Sequence, residues 1–244
     1  MSRENMTHRI INADCLDVLR HLPQARCIFA DPPDNIGLKY SGYKDRLSPA
    51  TYHSLLLRWL LAFVGQAVAV WLSYNARWWR EVARATDVLC SLSGVEALPC
   101  VQTFTFGQHN QHDLGNNFRP LLRLQHPIAA LYPDAIRVPS WRQRSGDKRA
   151  DPRGRVPGDV FDFPRIVGNS KQRRAWHPTQ LHEGLVERCI LLTTQPGDLV
   201  IDPFAGTGTT LRVCKRINRR CILIEKSHEY CERIAEEHGM KVET

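Results

Sequence analysis

Short apolar runs alternate with helical patterns in the first and the last part of the chain, and this alternation limits the fold more than any other sequence feature. Strand-like runs are predicted at residues 9–12, 27–30, 67–73, 101–106, 199–202 and 221–225. Helical patterns cover residues 14–22, 49–66, 76–85, 179–194, 209–217 and 227–238. Strands that alternate with helices form a mostly parallel sheet with helices on both faces. We therefore expect an α/β, Rossmann-like fold.

The length and composition are those of one folded domain. The chain has 244 residues, of which 43% are hydrophobic and 24% charged, so we treat residues 1–244 as a single domain. Residues 111–176 differ from the rest because they are polar, basic and rich in proline and glycine. We expect this range to be a loop-rich insertion.

The lengths of the apolar runs and the spacing of the cysteines indicate the cellular compartment of the protein. No apolar run reaches the ~20 residues that span a bilayer, and the N-terminal residues lack the apolar core of a signal peptide. The eight cysteines include no C-x-x-C pair, which argues against a zinc ribbon. We therefore predict a cytoplasmic protein with reduced cysteines, no membrane attachment and no metal site.

Positive charge is concentrated in one part of the chain. The sequence has 33 lysines and arginines against 25 acidic residues, a formal net charge of +8. Residues 137–174 hold eleven of these basic residues and four acidic ones, with aromatic residues between them. Such a segment favours a polyanionic partner, although a solvated basic loop would have the same composition.

A glycine-containing loop joins the predicted strand 199–202 to the following helix. Gly206 and Gly208 allow a tight turn and close approach to a ligand, to which the helix presents free N–H groups. Glu225 lies 17 residues after Gly208, near the ~20-residue spacing at which an acid meets ribose hydroxyls. The full G-x-G-x-x-G pattern and the Walker A motif are both absent. The loop favours a cofactor of the mononucleoside type without a pyrophosphate, although glycines in such a turn also occur for geometry alone.

The second motif, residues 31–34, reads Asp-Pro-Pro-Asp and follows the predicted strand 27–30. Ligands of open α/β sheets bind outside the carboxyl ends of strands. The two prolines restrict φ, so the Asp31 carboxylate and the Pro32 carbonyl can point at the same place. Two such acceptors suit an amino group. The alternative is a stiff turn without a ligand.

Taken in order along the chain, residues 31–34 and 202–208 resemble the amino-group DNA methyltransferases that use S-adenosylmethionine. The resemblance is to the permuted group, in which the catalytic motif precedes the glycine loop. Further matching segments are residues 12–16, 177–180 and 196–198, and the likeness covers roughly residues 8–75 and 176–235. It implies a Rossmann-like methyltransferase fold.

The resemblance also implies a role for each matching position. Glu225 would hold the ribose hydroxyls, Asp14 would lie near the adenine of the cofactor, and His177 would approach its methionine end. The full set implied to bind S-adenosylmethionine is Asp14, Asp31, His177, Thr179, Gln180, Asp202, Phe204, Gly206, Gly208, Thr209 and Glu225. The implied catalytic residues, which hold the target amino group, are Asp31, Pro32, Pro33 and Asp34.

One position departs from the family pattern. Asp34 stands where the family usually has an aromatic residue that stacks on the extruded base. Such stacking is worth ~1–3 kcal/mol per base, and we expect Tyr40 or Tyr43 to supply the missing ring.

Target recognition in the family usually lies between the two conserved blocks, so the insertion 111–176 is the predicted DNA-recognition segment. The predicted DNA-contacting residues are Arg142, Arg144, Lys148, Arg149, Arg153, Arg155, Lys171, Arg173 and Arg174.

The resemblance leaves several functions open. Family members with Asp at the first motif position mostly methylate adenine at N6, so Asp31 favours a site-specific adenine-N6 DNA methyltransferase acting in restriction–modification. The alternatives are a cytosine-N4 methyltransferase, a catalytically weak DNA-binding relative, and an enzyme that acts on RNA. The sequence leaves open whether the protein forms a homodimer.

Overall fold

The computed structural model describes residues 8–105 and 110–244. The strands in this part of the chain are β1 Arg9–Asn12, β2 Ala25–Ala30, β3 Lys39–Tyr40, β4 Tyr43–Lys44, β5 Ala67–Ser73, β6 Glu96–Thr103, β7 Phe118–Gln125, β8 Val160–Asp162, β9 Leu199–Asp202, β10 Arg220–Glu225 and β11 Val242–Glu243. The α-helices are α1 Cys15–Val18, α2 Pro49–Gln66, α3 Trp79–Ser93, α4 Trp141–Arg144, α5 Glu183–Thr193, α6 Thr209–Arg216 and α7 His228–His238. Short 3-10 turns occur at Leu19–His21, Ala76–Trp78 and Pro133–Ile136.

Nine strands form the main sheet in the order β11-β1-β10-β9-β2-β5-β7-β6-β8. The neighbours from β11 to β5 are all parallel, whereas β7 is antiparallel to both β5 and β6. β8 pairs with β6 in parallel at the far edge. The predicted mostly parallel α/β sheet is therefore confirmed.

Successive residues of the central strands pack against opposite helical layers, as the period of a strand requires. Ile28 and Ile201 belong to a core cluster with residues of α1, α2 and α3. Cys27 and Val200, one position earlier in each strand, belong to a second cluster with residues of α5, α6 and α7. Both faces of the central strands are thus buried, which explains why these strands are apolar throughout.

Local sequence signals explain where most helices begin. Ser48 caps α2 by accepting a hydrogen bond from the Thr51 N–H, with Pro49 in the first helical position, and Ser227 caps α7 in the same way. Two ends differ from the prediction. α3 continues to Ser93, where Gly94 ends it in the left-handed conformation with φ of 65°. α5 begins only at Glu183, since His182 is its cap.

The range 111–176 is not all loop. Residues 118–125 form β7, which lies inside the main sheet between β5 and β6. The sequence FRPLLRLQ contains two arginines and a proline, so its strand character was not predicted. The predicted strand 101–106 is also displaced, since β6 ends at Thr103. The remainder of the range holds α4, β8 and the loops between them.

The strands β2 and β9 are parallel neighbours at the centre of the sheet, with Ile28 opposite Ile201. After β9 the chain continues through α6 to β10 on one side, and after β2 it continues through α2 to β5 on the other. Such a switch point opens a crevice at the carboxyl ends of the two strands. Residues 31–34 and 203–208 follow these strands and therefore meet at the same edge.

All eight cysteines are free, and six of them are buried. In the described part of the chain, no helix has the length and apolar character needed to cross a membrane. Within residues 8–105 and 110–244, His, Cys, Asp and Glu side chains form no cluster of three or more that could hold a metal ion.

Candidate active site

A cavity of about 760 Å³ opens at the carboxyl ends of β2 and β9, a volume within the usual range for small-molecule sites. The site residues expected from the sequence that line it are Asp14, Asp31, Pro32, Pro33, Asp34, His177, Thr179, Gln180, Asp202, Phe204, Gly206, Thr209 and Glu225. Gly208 does not line the cavity. The two motifs, which are far apart in sequence, therefore share one site.

The two glycines of the loop serve different purposes. Gly206 has φ of 51°, and a Cβ built there would lie 3.2 Å from the His177 Nε2 atom at the cavity wall. Gly208 has φ of 72° and caps α6, and its Cβ would lie 3.2 Å from Ile234 of α7. Only Gly206 therefore keeps cavity space open, whereas Gly208 allows the turn and the packing of α6 against α7.

Glu225, at the end of β10, ties this loop to the sheet. Its Oε2 accepts a hydrogen bond from the Gly206 N–H at 2.9 Å, and its Oε1 accepts one from the Ser227 N–H at 2.9 Å. Burial raises the pKa of Glu225, and the backbone N–H donors oppose that rise. A carboxylate has about four lone-pair positions, so this one can accept from a pair of ligand hydroxyls as well.

Asp202, the last residue of β9, forms hydrogen bonds within the glycine loop that follows it. Its Oδ1 accepts from the Phe204 N–H at 2.9 Å, and its Oδ2 accepts from the Thr210 hydroxyl at 2.5 Å. Burial raises the pKa of Asp202 to about 7, although both hydrogen bonds stabilise the ionised form. Both carboxylate oxygens thus have partners within the loop, which indicates that Asp202 orders the loop backbone.

His177 forms an aromatic part of the cavity wall. Its ring centroid lies 5.5 Å from that of Tyr40 and 4.8 Å from that of Tyr230, and its Nδ1 is 2.5 Å from the Thr179 carbonyl oxygen. Burial lowers the pKa of His177 to about 4, so the imidazole is neutral at neutral pH. The side chain of Gln180 bonds instead to the protein backbone, accepting from the Arg174 N–H and donating to the Gln172 carbonyl.

The loop that carries Asp31 is held from several sides. The Tyr52 hydroxyl donates to the Pro33 carbonyl at 2.9 Å, and the Trp78 indole N–H donates to the Asp34 carbonyl at 2.7 Å. The Asp31 side chain keeps 26% of its surface exposed, whereas the Asp34 side chain keeps 10%. Of the two acids that line the cavity, Asp31 is therefore the more accessible, and the Asp34 side chain is largely covered by protein.

Arg119 of β7 contacts both acids and was not among the predicted site residues. Its Nη2 lies 2.7 Å from Asp31 Oδ1 and 2.9 Å from Asp34 Oδ1, and its Nη1 lies 2.9 Å from Asp34 Oδ2. Its Nε donates to the Ser73 hydroxyl at 2.6 Å. Burial raises the pKa of Asp31, and the adjacent Arg119 guanidinium opposes that rise.

Aromatic side chains surround the two motifs. Tyr40 and Tyr43 face each other across the small β3–β4 hairpin with ring centroids 6.4 Å apart, and both line the cavity. Phe204 packs edge-on against Trp59 of α2, with centroids 4.9 Å apart. The rings that were expected to stand in for an aromatic residue at position 34 are thus present in the site.

The predicted DNA-contacting residues lie outside the cavity, and they differ in their surroundings. Exposed side chains without an acidic partner in the described part of the chain are Arg142, Arg144, Lys148, Arg155 and Lys171. Arg149 and Arg153 pair with Asp147 and Asp151, each two residues earlier. Arg174 bonds Glu237 of α7 through Nη2 at 2.5 Å and Nε at 3.0 Å, and Arg173 donates to the Arg174 carbonyl.

Comparison with solved structures shows the class of fold. The chain matches the structure described as the M1.HpyAVI–SAM complex with a TM-score of 0.64 at 18% identity, covering 94% of this chain and 98% of that one. It matches PvuII DNA methyltransferase (cytosine-N4-specific) with a TM-score of 0.72 at 15% identity, covering 94% and 85%. The fold is therefore that of the Rossmann-like methyltransferases.

Sequence comparison then shows the family. A family model described as DNA methylase matches residues 109–237. The DNA adenine methyltransferase YhdJ of Escherichia coli (strain K12) is 30% identical over 93% of this chain and 81% of its own length. The chain belongs to the DNA methylase family, and the resemblance seen in its motifs is confirmed.

Proposed function

We propose that this protein transfers a methyl group from S-adenosylmethionine to the N6 amino group of adenine in DNA. The observation that carries the proposal is the single cavity that both the glycine loop and Asp31 line, at the ends of the adjacent strands β9 and β2. A cofactor held by the glycine loop after β9 and an amino group held by Asp31 after β2 would lie next to each other in this cavity.

The residues present fit S-adenosylmethionine. Glu225 has acceptor positions left for a ribose diol, and Gly206 leaves room beside the loop. When it is bound, the cofactor supplies an activated methyl group on a positively charged sulfur. The neutral His177 imidazole at the cavity wall does not repel that charge, and Phe204 adds an apolar ring to the cavity lining.

On the substrate side, Asp31 has to orient a poor nucleophile. The lone pair of an exocyclic amine is delocalised into the base. Hydrogen bonds from that amine to the Asp31 carboxylate and the Pro32 carbonyl favour a pyramidal nitrogen with its lone pair directed at the methyl carbon. The hydrogen bonds to the Pro33 and Asp34 carbonyls hold the loop still, so the geometry is formed before the base arrives.

Adenine is favoured over cytosine by two facts. The first motif residue is Asp31, and a relative that matches 93% of this chain is named as an adenine methyltransferase. Cytosine N4 is the second candidate, because a structural neighbour is named as specific for it.

Nucleoside analysis tests the function directly. Unmethylated DNA is incubated with the protein and S-adenosylmethionine carrying a deuterated methyl group, then digested and examined by mass spectrometry. We expect deuterated N6-methyladenine. Deuterated N4-methylcytosine would change the target base, label in a parallel RNA sample alone would change the substrate, and the absence of any label would leave a DNA-binding relative.

The exposed basic residues of the range 137–174 make a first prediction. Replacing Arg142, Arg144 and Lys148 together with glutamine should flatten the dependence of log K for DNA on log salt, by ~0.9 for each phosphate that the protein no longer neutralises. The measurement is fluorescence anisotropy with labelled duplex DNA at several salt concentrations. Arg173 and Arg174 are poorer choices because Arg174 is paired with Glu237 and Arg173 donates a hydrogen bond to the Arg174 carbonyl.

A matched control removes the same charge elsewhere. Arg80, Arg84 and Lys241 are exposed and lie outside that range, and their replacement with glutamine should leave the slope nearer to that of the unmodified protein. Equal slopes for both triple variants would show that the 142–148 side chains do not contact phosphates.

A second prediction concerns the ring that grips the base. Tyr40→Ala should weaken binding of DNA that holds an extruded target base by ~5- to 150-fold, since stacking is worth ~1–3 kcal/mol. Fluorescence of 2-aminopurine at the target position reports the extrusion, and Tyr40→Phe should behave like the unmodified protein. If Tyr40→Ala and Tyr43→Ala both leave extrusion and turnover unchanged, neither ring grips the base.

The setting of the enzyme belongs to the same proposal. We infer that it works in the cytoplasm, which the free thiols favour, and that it modifies DNA as part of restriction–modification. Light scattering on the purified protein decides between a monomer and the homodimer that the sequence leaves open.

A further inference from the structure

We propose that Arg119 and Asp34 form a buried positioning pair for Asp31. In this pair, Asp34 fixes the Arg119 guanidinium and balances its positive charge, and Arg119 orients the Asp31 carboxylate. This inference rests on the proposed function, since it assigns roles within that active site. It also revises the role of Asp34, which the sequence placed among the residues that hold the substrate amino group.

The first step is the direction of the hydrogen bonds. Both carboxylate oxygens of Asp34 accept hydrogen bonds from Arg119, one from Nη1 at 2.9 Å and one from Nη2 at 2.9 Å. Asp31 receives one bond, from Nη2 at 2.7 Å to its Oδ1. Paired arginine–carboxylate bonds are the stronger and more directional kind, so Asp34 determines where the guanidinium lies and Asp31 is placed by it.

The second step is the balance of charge. One guanidinium and two carboxylates leave a net charge of −1 on the group. Without Asp34, Arg119 would be free to turn both arms to Asp31 and neutralise it, which would occupy the oxygens that the substrate amine needs. With Asp34 in place, Asp31 keeps a negative charge and remains 26% exposed towards the cavity.

The third step is the attachment of the pair to the sheet. Arg119 lies on β7, opposite Gln102 of β6, and its Nε is held by Ser73 at the end of β5. Asp34 is held through its backbone carbonyl by Trp78. The position of Asp31 therefore depends on β7, on β5 and on the turn that carries Trp78. An aromatic residue at position 34 would leave Arg119 with a single carboxylate partner.

Other ionisable groups face Asp31 from the surrounding elements and enter any pH dependence. Asp202 at the end of β9 and Tyr40 of β3 both interact electrostatically with Asp31, besides Arg119 and Asp34. The substitutions described below change Asp34 or Arg119 and leave Asp202 and Tyr40 in place.

The test compares Asp34→Asn and Arg119→Gln, with Arg119→Lys as the variant that keeps the charge. Asp34→Asn removes a negative neighbour and frees Arg119 for Asp31, so the pKa of Asp31 should fall and the acid limb of the single-turnover pH–rate profile should move to lower pH. Arg119→Gln removes the cation, so the pKa of Asp31 should rise and the limb should move to higher pH. Both variants should slow transfer by ~10- to 100-fold, the usual effect of a misplaced reacting group, and Arg119→Lys should recover part of it.

Two measurements separate this inference from the proposed function. Affinity for S-adenosylmethionine, measured by calorimetry, should stay within about twofold in all variants that are shown to be folded by their thermal unfolding. An NMR titration of the protein labelled with ¹³C at aspartate carboxyl carbons follows Asp31 without any turnover. Exposed residues of α3 supply the controls, Arg84→Gln and Asp87→Asn, which should shift neither profile.

The outcomes are distinct. Opposite shifts of the Asp31 titration in Asp34→Asn and Arg119→Gln support the positioning pair. An unmodified protein that never methylates DNA refutes the proposed function, whatever the titration shows. An Asp31 titration and a rate profile that are the same in Asp34→Asn, Arg119→Lys and the unmodified protein would overturn the pair and leave the proposed function standing.

Discussion

Replacing Asp31 with alanine should slow methyl transfer to DNA severely, while binding of S-adenosylmethionine largely survives. The substitution removes the carboxylate proposed to orient the target amine and leaves Glu225, Gly206 and His177 in place in the same cavity. Loss of one preorganised hydrogen-bonding group of this kind costs ~10²- to 10³-fold in rate. The measurements are single-turnover transfer of labelled methyl groups and calorimetric affinity for the cofactor.

The fold should tolerate this change, because Arg119 keeps both bonds to Asp34 when Asp31 is replaced. Asp31→Asn serves as the variant of equal size, and it should retain more transfer than Asp31→Ala because its amide oxygen still accepts a hydrogen bond, although it carries no negative charge. Transfer at the ordinary rate by a folded Asp31→Ala protein would refute the assignment of Asp31.

Replacing Glu225 with alanine should weaken binding of S-adenosylmethionine by about 10- to 100-fold. Two effects combine, since the ligand would lose the acceptor proposed for its ribose and the Gly206 and Ser227 N–H groups lose their partner. Hydrogen bonds to a charged group are worth ~1.5–3 kcal/mol each. Calorimetry on the purified protein measures the effect, and affinity for DNA should change little.

A pH series extends the same prediction. Because burial raises the pKa of Glu225, its protonated form gains population as the pH is lowered, and cofactor affinity should fall in that direction. The exposed Glu236 of α7 provides a control, and Glu236→Gln should show the affinity and the pH trend of the unmodified protein. Unaltered cofactor affinity in Glu225→Ala would remove Glu225 from the binding site.

Local signals explain why much of the fold was predictable. The bounds of α2 follow from Ser48 and Pro49 at its start, and β5 follows from an apolar run that is too long to be a turn. The two motifs were expected to meet because parallel strands present their carboxyl ends at one edge of a sheet. The structure places Asp31 and Gly206 in one cavity, as this reasoning requires.

Pairings with distant residues were not predictable in the same way. β7 is a strand because β5 and β6 bury it, although its own residues include Arg119, Pro120 and Arg123. A polar, basic stretch of this kind favours a loop when the sequence is considered alone. The ion pair between Arg174 and Glu237 joins residues far apart in the chain, so the basic residues could not be sorted into paired and free from composition.

The sequence by itself determined the class of fold and singled out the glycine loop and Asp31 as candidate site residues, since each depends on residues that are close together in the chain and on the periods of helix and strand. Only the tertiary structure decided which partner Asp34 meets, and a buried carboxylate takes its role from that partner. That partner is Arg119, brought to it by an antiparallel strand whose position no local pattern encodes.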